Sequence, residues 1–160
     1  MTTSIPPVGS EAPDFVLRDQ HGEEIRLASY RDRSNVVLVF YPYAFSGPCT
    51  GELAAIRDRP ELFAQADAVV LGVSCDAMYS LRVFDDTERL GFSLLSDWWP
   101  HGAAASLYGV FDADRGCAVR GTFVIDKAGV VRWSVVNPIP QPRDLDDYAQ
   151  GLAALGRELG

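Results

Sequence analysis

Lysine is nearly absent from this chain. Lys127 is the only one, set against thirteen arginines and 22 acidic side chains, and the formal net charge is −8. No block of basic residues interrupts that acidity, so a phosphate backbone would be repelled over most of the surface and nucleic acid is excluded as an expected partner. Long apolar runs are missing too. The longest, near Val36 to Phe45, falls far short of a bilayer span, and the opening MTTSIPPVGSEAPDF lacks the basic start and continuous apolar stretch of a secretory signal. Both absences argue against a membrane and for a cytoplasmic protein. Cysteine is scarce: Cys49, Cys75 and Cys117 stand at irregular spacing, with no C-x-x-C and no Cys/His ligand pattern. A disulfide framework and a zinc site are thereby excluded, and each thiol has to be judged alone.

What is present is an ordinary globular composition. With 160 residues, 48% hydrophobic and 22% charged, the chain can bury one full core, and it is read as a single domain over residues 1–160. There is no internal repeat, low-complexity segment or linker. DFVLRDQHGEEIRLASY alternates with period two around a turn at Asp19 to Gly22, which predicts an N-terminal β-hairpin. NVVLVFYP and AVVLGVS are continuous apolar runs of the kind expected in central strands buried on both faces. Helical spacing runs from Cys49 through Leu53 and Ile56, with a kink or restart expected at Pro60. AMYSLRVFDDTERLG predicts a second helix closed by Gly91, and FSLLSD a short strand or turn. Two strands joined at Asp126 to Gly129 follow, and Leu145, Tyr148, Leu152, Leu155 and Leu159 mark a C-terminal amphipathic helix. The order implies an α/β fold, a mixed central sheet with helices on both faces.

The chemistry centres on FYPYAFSGPCTGEL. A strand ends in Pro42, a short loop of small residues follows, and Cys49 falls where a helix begins. That is a poor place to hide a thiol and a good place to ionise one. A cysteine attacks as its thiolate, and an unperturbed thiol is only a few per cent ionised at neutral pH, so something must favour the anion. Unpaired N–H groups at a helix start and a cation brought from elsewhere are the two available devices. Ser46 can present a hydroxyl, and Gly47 lets backbone approach a small ligand. Glu52, one turn beyond Cys49, would oppose a thiolate unless neutralised; its sensible task is to hold an arginine.

PYAFSGPC, Pro42 to Cys49, resembles the peroxiredoxin active-site motif P-x-x-x-[T/S]-x-x-C, and RGTFVID, Arg120 to Asp126, resembles the strand that carries that family's second active-site element. APDFVLRDQHG, ELAAIRD, GVSCD, FSLLSD and YGVF match in family order through Arg132. LLSDWWPHG, together with the lack of a recognisable resolving cysteine, is most similar to the one-cysteine alkyl hydroperoxide reductase E type. The resemblance implies a thioredoxin-like (peroxiredoxin) fold, peroxidase activity and no metal or organic cofactor. It implies Cys49 as the peroxidatic cysteine, Ser46 as the hydroxyl that binds the peroxide, and Pro42 as the shield of the pocket. Arg120 becomes the guanidinium beside the sulfur, and Glu52 the residue that orients active-site arginine. Implied partners are a peroxide, an external thiol reductant (a low-molecular-weight thiol, thioredoxin or a glutaredoxin-like protein) and a second copy in a homodimer.

Blander readings stand beside these. A free cysteine is ordinarily a core residue, which is the expectation for Cys75 and Cys117, although either would make an intramolecular two-cysteine peroxidase if it resolved oxidised Cys49. His21 is expected in a solvated turn and His101 in a loop or interface; Trp98 and Trp99 are expected to pack, with a dimer contact as the alternative. A thiol-disulfide oxidoreductase is disfavoured because Glu52 occupies the second-cysteine position of a C-x-x-C, and the motifs around a glutathione peroxidase site are not found. A peroxide-sensing switch acting through oxidised Cys49 is the alternative from another class, separated from an enzyme by repeated turnover with a thiol.

Overall fold

The computed structural model describes residues 4–156. Seven strands form one sheet in the order β2-β1-β5-β4-β3-β8-β9. The hairpin β1 (Val16–Arg18) and β2 (Glu24–Arg26) lies at one edge, and β1 pairs antiparallel with β5 (Ser93–Ser96). β3 (Asn35–Phe40), β4 (Ala68–Ser74) and β5 run parallel in the centre; β8 (Arg120–Ile125) and β9 (Val131–Asn137) complete the other side antiparallel.

The apolar run of β3 divides by parity. Val36, Leu38 and Phe40 enter one core cluster and Val37, Val39 and Tyr41 the other, as alternation across a strand buried on both faces requires. Four helices cover the second face: α1 (Gly47–Arg57), α2 (Pro60–Ala64), α3 (Met78–Glu88) and α5 (Leu145–Ala153) contribute Leu53, Phe63, Phe84 and Tyr148. The first face is covered by the N-terminal segment and the short α4 (Ala103–Leu107), through Phe15, Leu27, Ala104 and Ala105.

Several expectations are met and several are corrected. The break at Pro60 is a restart, with the proline in the first turn of α2, where its missing N–H is no loss. α3 does not run to Gly91. It closes at Arg89, which adopts the left-handed conformation (φ 50°), because Leu90 is buried and its N–H is taken by the Asp85 carboxylate. α4 and the small hairpin β6 (Phe111–Asp112) and β7 (Cys117–Ala118) had no expectation attached. The start of α4 is capped from outside the helix by Asp97, whose carboxylate accepts from Ala104 and Ala105 N–H at 3.0 and 2.9 Å, so no local capping signal precedes it. Leu155 falls in a 3-10 turn that extends α5, and Leu159 lies outside the described residues. Trp98 and Trp99 do not pack into a core: they are 53% and 75% exposed, ring against ring. His21 is exposed, as expected.

Candidate active site

α1 begins two residues before Cys49. Ser46 is its N-cap, and the Ser46 hydroxyl accepts the Cys49 N–H at 3.4 Å; Pro48, inside the first turn, presets the backbone for a helix. The capping geometry places Cys49 among the first N–H groups of the helix, where the backbone dipole favours negative charge. Cys49 is nevertheless 0% exposed, so the helix start does hide its thiol, contrary to the expectation from the sequence. Pro42 is buried in the bend two residues after β3, and a Cβ on Gly47 would meet no atom within 4 Å.

One turn on, Glu52 is buried with its carboxylate between two guanidiniums. Arg120, the first residue of β8, reaches it through Nη1, and the same Nη1 lies 3.5 Å from Cys49 Sγ. Arg120 Nε donates to the Ile139 carbonyl at 2.7 Å, which fixes the plane of the group. The second guanidinium is that of Arg143. Its Nε donates to Glu52 Oε2 at 2.8 Å, its Nη2 to Oε1 at 3.1 Å, and its backbone N–H to Oε2 at 2.6 Å. Its Nη1 is held by the Gly121 carbonyl and the Thr122 hydroxyl of β8 at 2.9 and 3.0 Å. Arg143 immediately precedes the capping box of α5, in which Asp144 and Asp147 each accept the other's N–H, so the helix start sets its position.

The structure therefore brings Cys49, Ser46, Glu52 and Arg120 together, places Pro42 in the loop that leads to Ser46, and adds Arg143. Nothing in the sequence around QPRDLDD marks that arginine. Its contacts lie 91 residues away in α1 and 21 and 22 residues away in β8, and the packing of α5 against β8 and β9 brings them together.

The other two thiols have different surroundings. Burial, then the charges of Asp97, Cys117 and Asp76, push the Cys75 thiol up to about 12, with only the Ala118 N–H acting against them. Burial likewise raises that of Cys117, partly offset by a hydrogen bond from the Tyr43 hydroxyl. All three cysteines are free. His101 is held between two carbonyls, Nδ1 3.0 Å from Trp98 O and Nε2 2.7 Å from Gly116 O, and so ties two surface loops together. No group of three His, Cys, Asp or Glu side chains among the described residues could hold a metal ion, and no helix there is long and apolar enough to cross a membrane.

A buried thiol at a helix start beside a fixed guanidinium, on a mixed sheet of this topology, defines the class of thiol-dependent reductases with a thioredoxin-like fold. The model of the AhpC/TSA family matches residues 8–134. Alkyl hydroperoxide reductase E of Mycobacterium tuberculosis (strain ATCC 25618 / H37Rv) is 42% identical over 148 residues, 92% of this chain and 97% of that protein. The chloroplastic 2-Cys peroxiredoxin BAS1 of Hordeum vulgare is 35% identical over 161 residues, 94% of this chain and 76% of that protein. The solved structure of peroxidoxin BcpB from Mycobacterium tuberculosis superposes with a TM-score of 0.84 at 32% identity, covering 96% of this chain and 99% of that one. The chain belongs to the AhpC/TSA family of peroxiredoxins and is a thiol-dependent peroxidase.

Proposed function

We propose that the chain reduces hydrogen peroxide and organic hydroperoxides through Cys49 alone, and that an external thiol regenerates it. The observation that carries this reading is Arg120 Nη1 at 3.5 Å from Cys49 Sγ while bound to Glu52. With Glu52 negative and both guanidiniums positive, the buried cluster is left with one unit of positive charge, which a Cys49 thiolate balances.

The thiolate attacks the terminal oxygen of the peroxide. An S–O bond forms as the O–O bond breaks, the sulfur loses two electrons, and the departing alkoxide or hydroxide takes a proton from solvent to leave as alcohol or water. Arg120, the Ser46 hydroxyl and the first N–H groups of α1 are donors available where charge develops, so they lower the barrier more than they stabilise the bound peroxide. Pro42 closes the pocket, and Glu52 with Arg143 keeps Arg120 in place. Cys49 sulfenic acid then reacts with a thiol to form a mixed disulfide and water, and a second thiol releases Cys49 and a disulfide product.

The raised thiols of Cys75 and Cys117 argue against either as the resolving group, because each is a poor nucleophile where it sits. The reductant in this reading is a low-molecular-weight thiol, thioredoxin or a glutaredoxin-like protein. The working form is a cytoplasmic homodimer of one 160-residue domain per subunit, and the exposed Trp98 and Trp99 rings, set against each other, support such a pairing.

The test is mass spectrometry of fully reduced protein after about one equivalent of peroxide in the presence of a sulfenic-acid trap. An adduct on Cys49 alone is expected, together with sustained peroxide consumption once a thiol is supplied. A rapid disulfide from Cys49 to Cys75 or Cys117 would replace the one-cysteine mechanism, and an unmodified Cys49 would overturn the assignment of the reactive residue.

A further inference from the structure

The loop that carries the site contains a backbone conformation that its own sequence does not favour. Ser46 N–H donates to the Tyr43 carbonyl at 3.4 Å, closing a turn, and inside that turn Phe45 has φ 70°. Glycine usually fills such a position, because for another L-residue the Cβ crowds the neighbouring carbonyl in the left-handed region. Strain of that kind persists only where the surroundings over-determine the backbone. Phe45 gains some hold from its ring, which lies 5.0 Å from that of Phe84, but the ring is on the surface, with Phe45 53% exposed.

The hold on the backbone comes from Asp76. Its Oδ2 accepts the N–H of Ala44, the residue before Phe45, at 2.8 Å, and accepts the hydroxyl of fully buried Ser74 at 2.7 Å. Its own carbonyl accepts the Ser96 hydroxyl at 2.6 Å, so Asp76 is fastened to the ends of two central strands. Before the turn, the Tyr41 N–H donates to Val73 O and continues the ladder of β3 with β4; after it, Ser46 caps α1. Between these points the Tyr43 hydroxyl donates to the Arg115 carbonyl at 3.1 Å, while the backbone N–H of Ala44 is held by Asp76 Oδ2. Ala44 is buried, and without Asp76 its N–H loses that acceptor in a place with little access to water.

We infer that Asp76 is a positioning residue of the peroxidase reaction: by binding the Ala44 N–H it keeps the Tyr43–Ser46 turn in the shape that directs the Ser46 hydroxyl and the start of α1 at Cys49. It acts through Ala44 and does not touch the peroxide. The inference rests on Cys49 being the peroxidatic residue, as proposed above.

The experiment compares wild type, Asp76→Ala and Asp76→Asn in two measurements. The first is amide hydrogen exchange at Ala44, read by NMR on reduced protein without peroxide. The second is the rate constant for Cys49 oxidation by stoichiometric peroxide, read by stopped flow. Asp76→Ala is expected to speed exchange at Ala44 and to slow oxidation about ten- to hundredfold, since small misplacements of reacting groups cost that much. Asp76→Asn keeps a neutral acceptor for the Ala44 N–H and is expected to return oxidation to within about threefold of wild type. Wild-type rates in a folded Asp76→Ala protein, unchanged exchange at Ala44, or equal losses in the two variants would each overturn the inference. Should wild-type Cys49 fail to react with peroxide, the catalytic reading itself falls, whereas the exchange measurement still reports whether Asp76 holds the turn.

Discussion

Glu52 carries more of this site than any other single side chain. It is buried, takes Arg120 on one oxygen and shares both oxygens with Arg143, so neither guanidinium sits in the interior without an anion. Glu52→Gln removes that anion while leaving both cations buried, and the expected loss of stability is about 3–5 kcal/mol. Urea unfolding measures it, and a loss below about 1 kcal/mol, the scale of a surface pair, would mean that the cluster is far better hydrated than its burial implies. Cys75 gives a second prediction at this scale. With its thiol pushed up to about 12, only on the order of one molecule in 10⁵ is ionised there at pH 7. Iodoacetamide at neutral pH is therefore expected to leave Cys75 unmodified in the folded protein, and peptide mapping of the alkylated sites checks it. From the sequence, Cys49, Ser46, Glu52 and Arg120 were legible as a group because a dense local motif and a recognisable strand carry them. Arg143 and Asp76 were not, because each acts through a bond to a residue distant in sequence.

At the scale of elements, the docking of α5 on the sheet matters most for the site, since it brings Arg143 to Glu52. Gly151 is what lets the helix approach: a Cβ there would stand 2.6 Å from the Trp133 ring and 2.7 Å from Val124 Cγ2. Gly151→Ala should gain up to about 1 kcal/mol from helix propensity and lose more to overpacking, for a net destabilisation of about 1–3 kcal/mol. Gly51, exposed in the middle of α1, is the opposite case. A Cβ there meets nothing within 4 Å, and Gly51→Ala is expected to stabilise the fold by up to about 1 kcal/mol. Thermal melts of the two variants should move in opposite directions from wild type. A Gly151→Ala protein as stable as wild type would mean that the close contacts of α5 are not what sets its position. Long elements were readable from their period. α4, with five residues and a cap supplied by Asp97 from the preceding loop, left no pattern to read.

Across the whole molecule, burial of weak acids makes stability depend on alkaline pH. The Cys75 thiol has an ordinary value of 9.0 and stands near 12 in the folded chain. Between those values the unfolded chain has released a proton that the folded chain retains, so the stability contributed by this thiol falls as pH rises from about 9 and is lost progressively up to about 12. Tyr43 and Tyr148 are both raised to about 12, the first chiefly by its hydrogen bond to Cys117 and the second chiefly by burial, and they act in the same direction above pH 10. Cys75→Ala is expected to flatten the decline between pH 9 and 11 relative to wild type without removing it, as followed by denaturant unfolding at each pH. Parallel slopes would place the titrating groups elsewhere.

The sequence by itself determined the class of fold, the order of the principal elements and the place of the Cys49 thiol at a helix start, because hydrophobic period, proline and glycine placement and the Pro42–Cys49 motif are all local properties of a chain. Tertiary structure decided what surrounds that thiol: its complete burial, the second guanidinium on Glu52 and the carboxylate that holds the strained turn before Ser46. Each of these is a contact between segments that lie apart in the chain. Such contacts follow from how helices seat on a twisted sheet, where buried charges and N–H groups must find partners wherever the fold delivers them, and no window of neighbouring residues records that outcome.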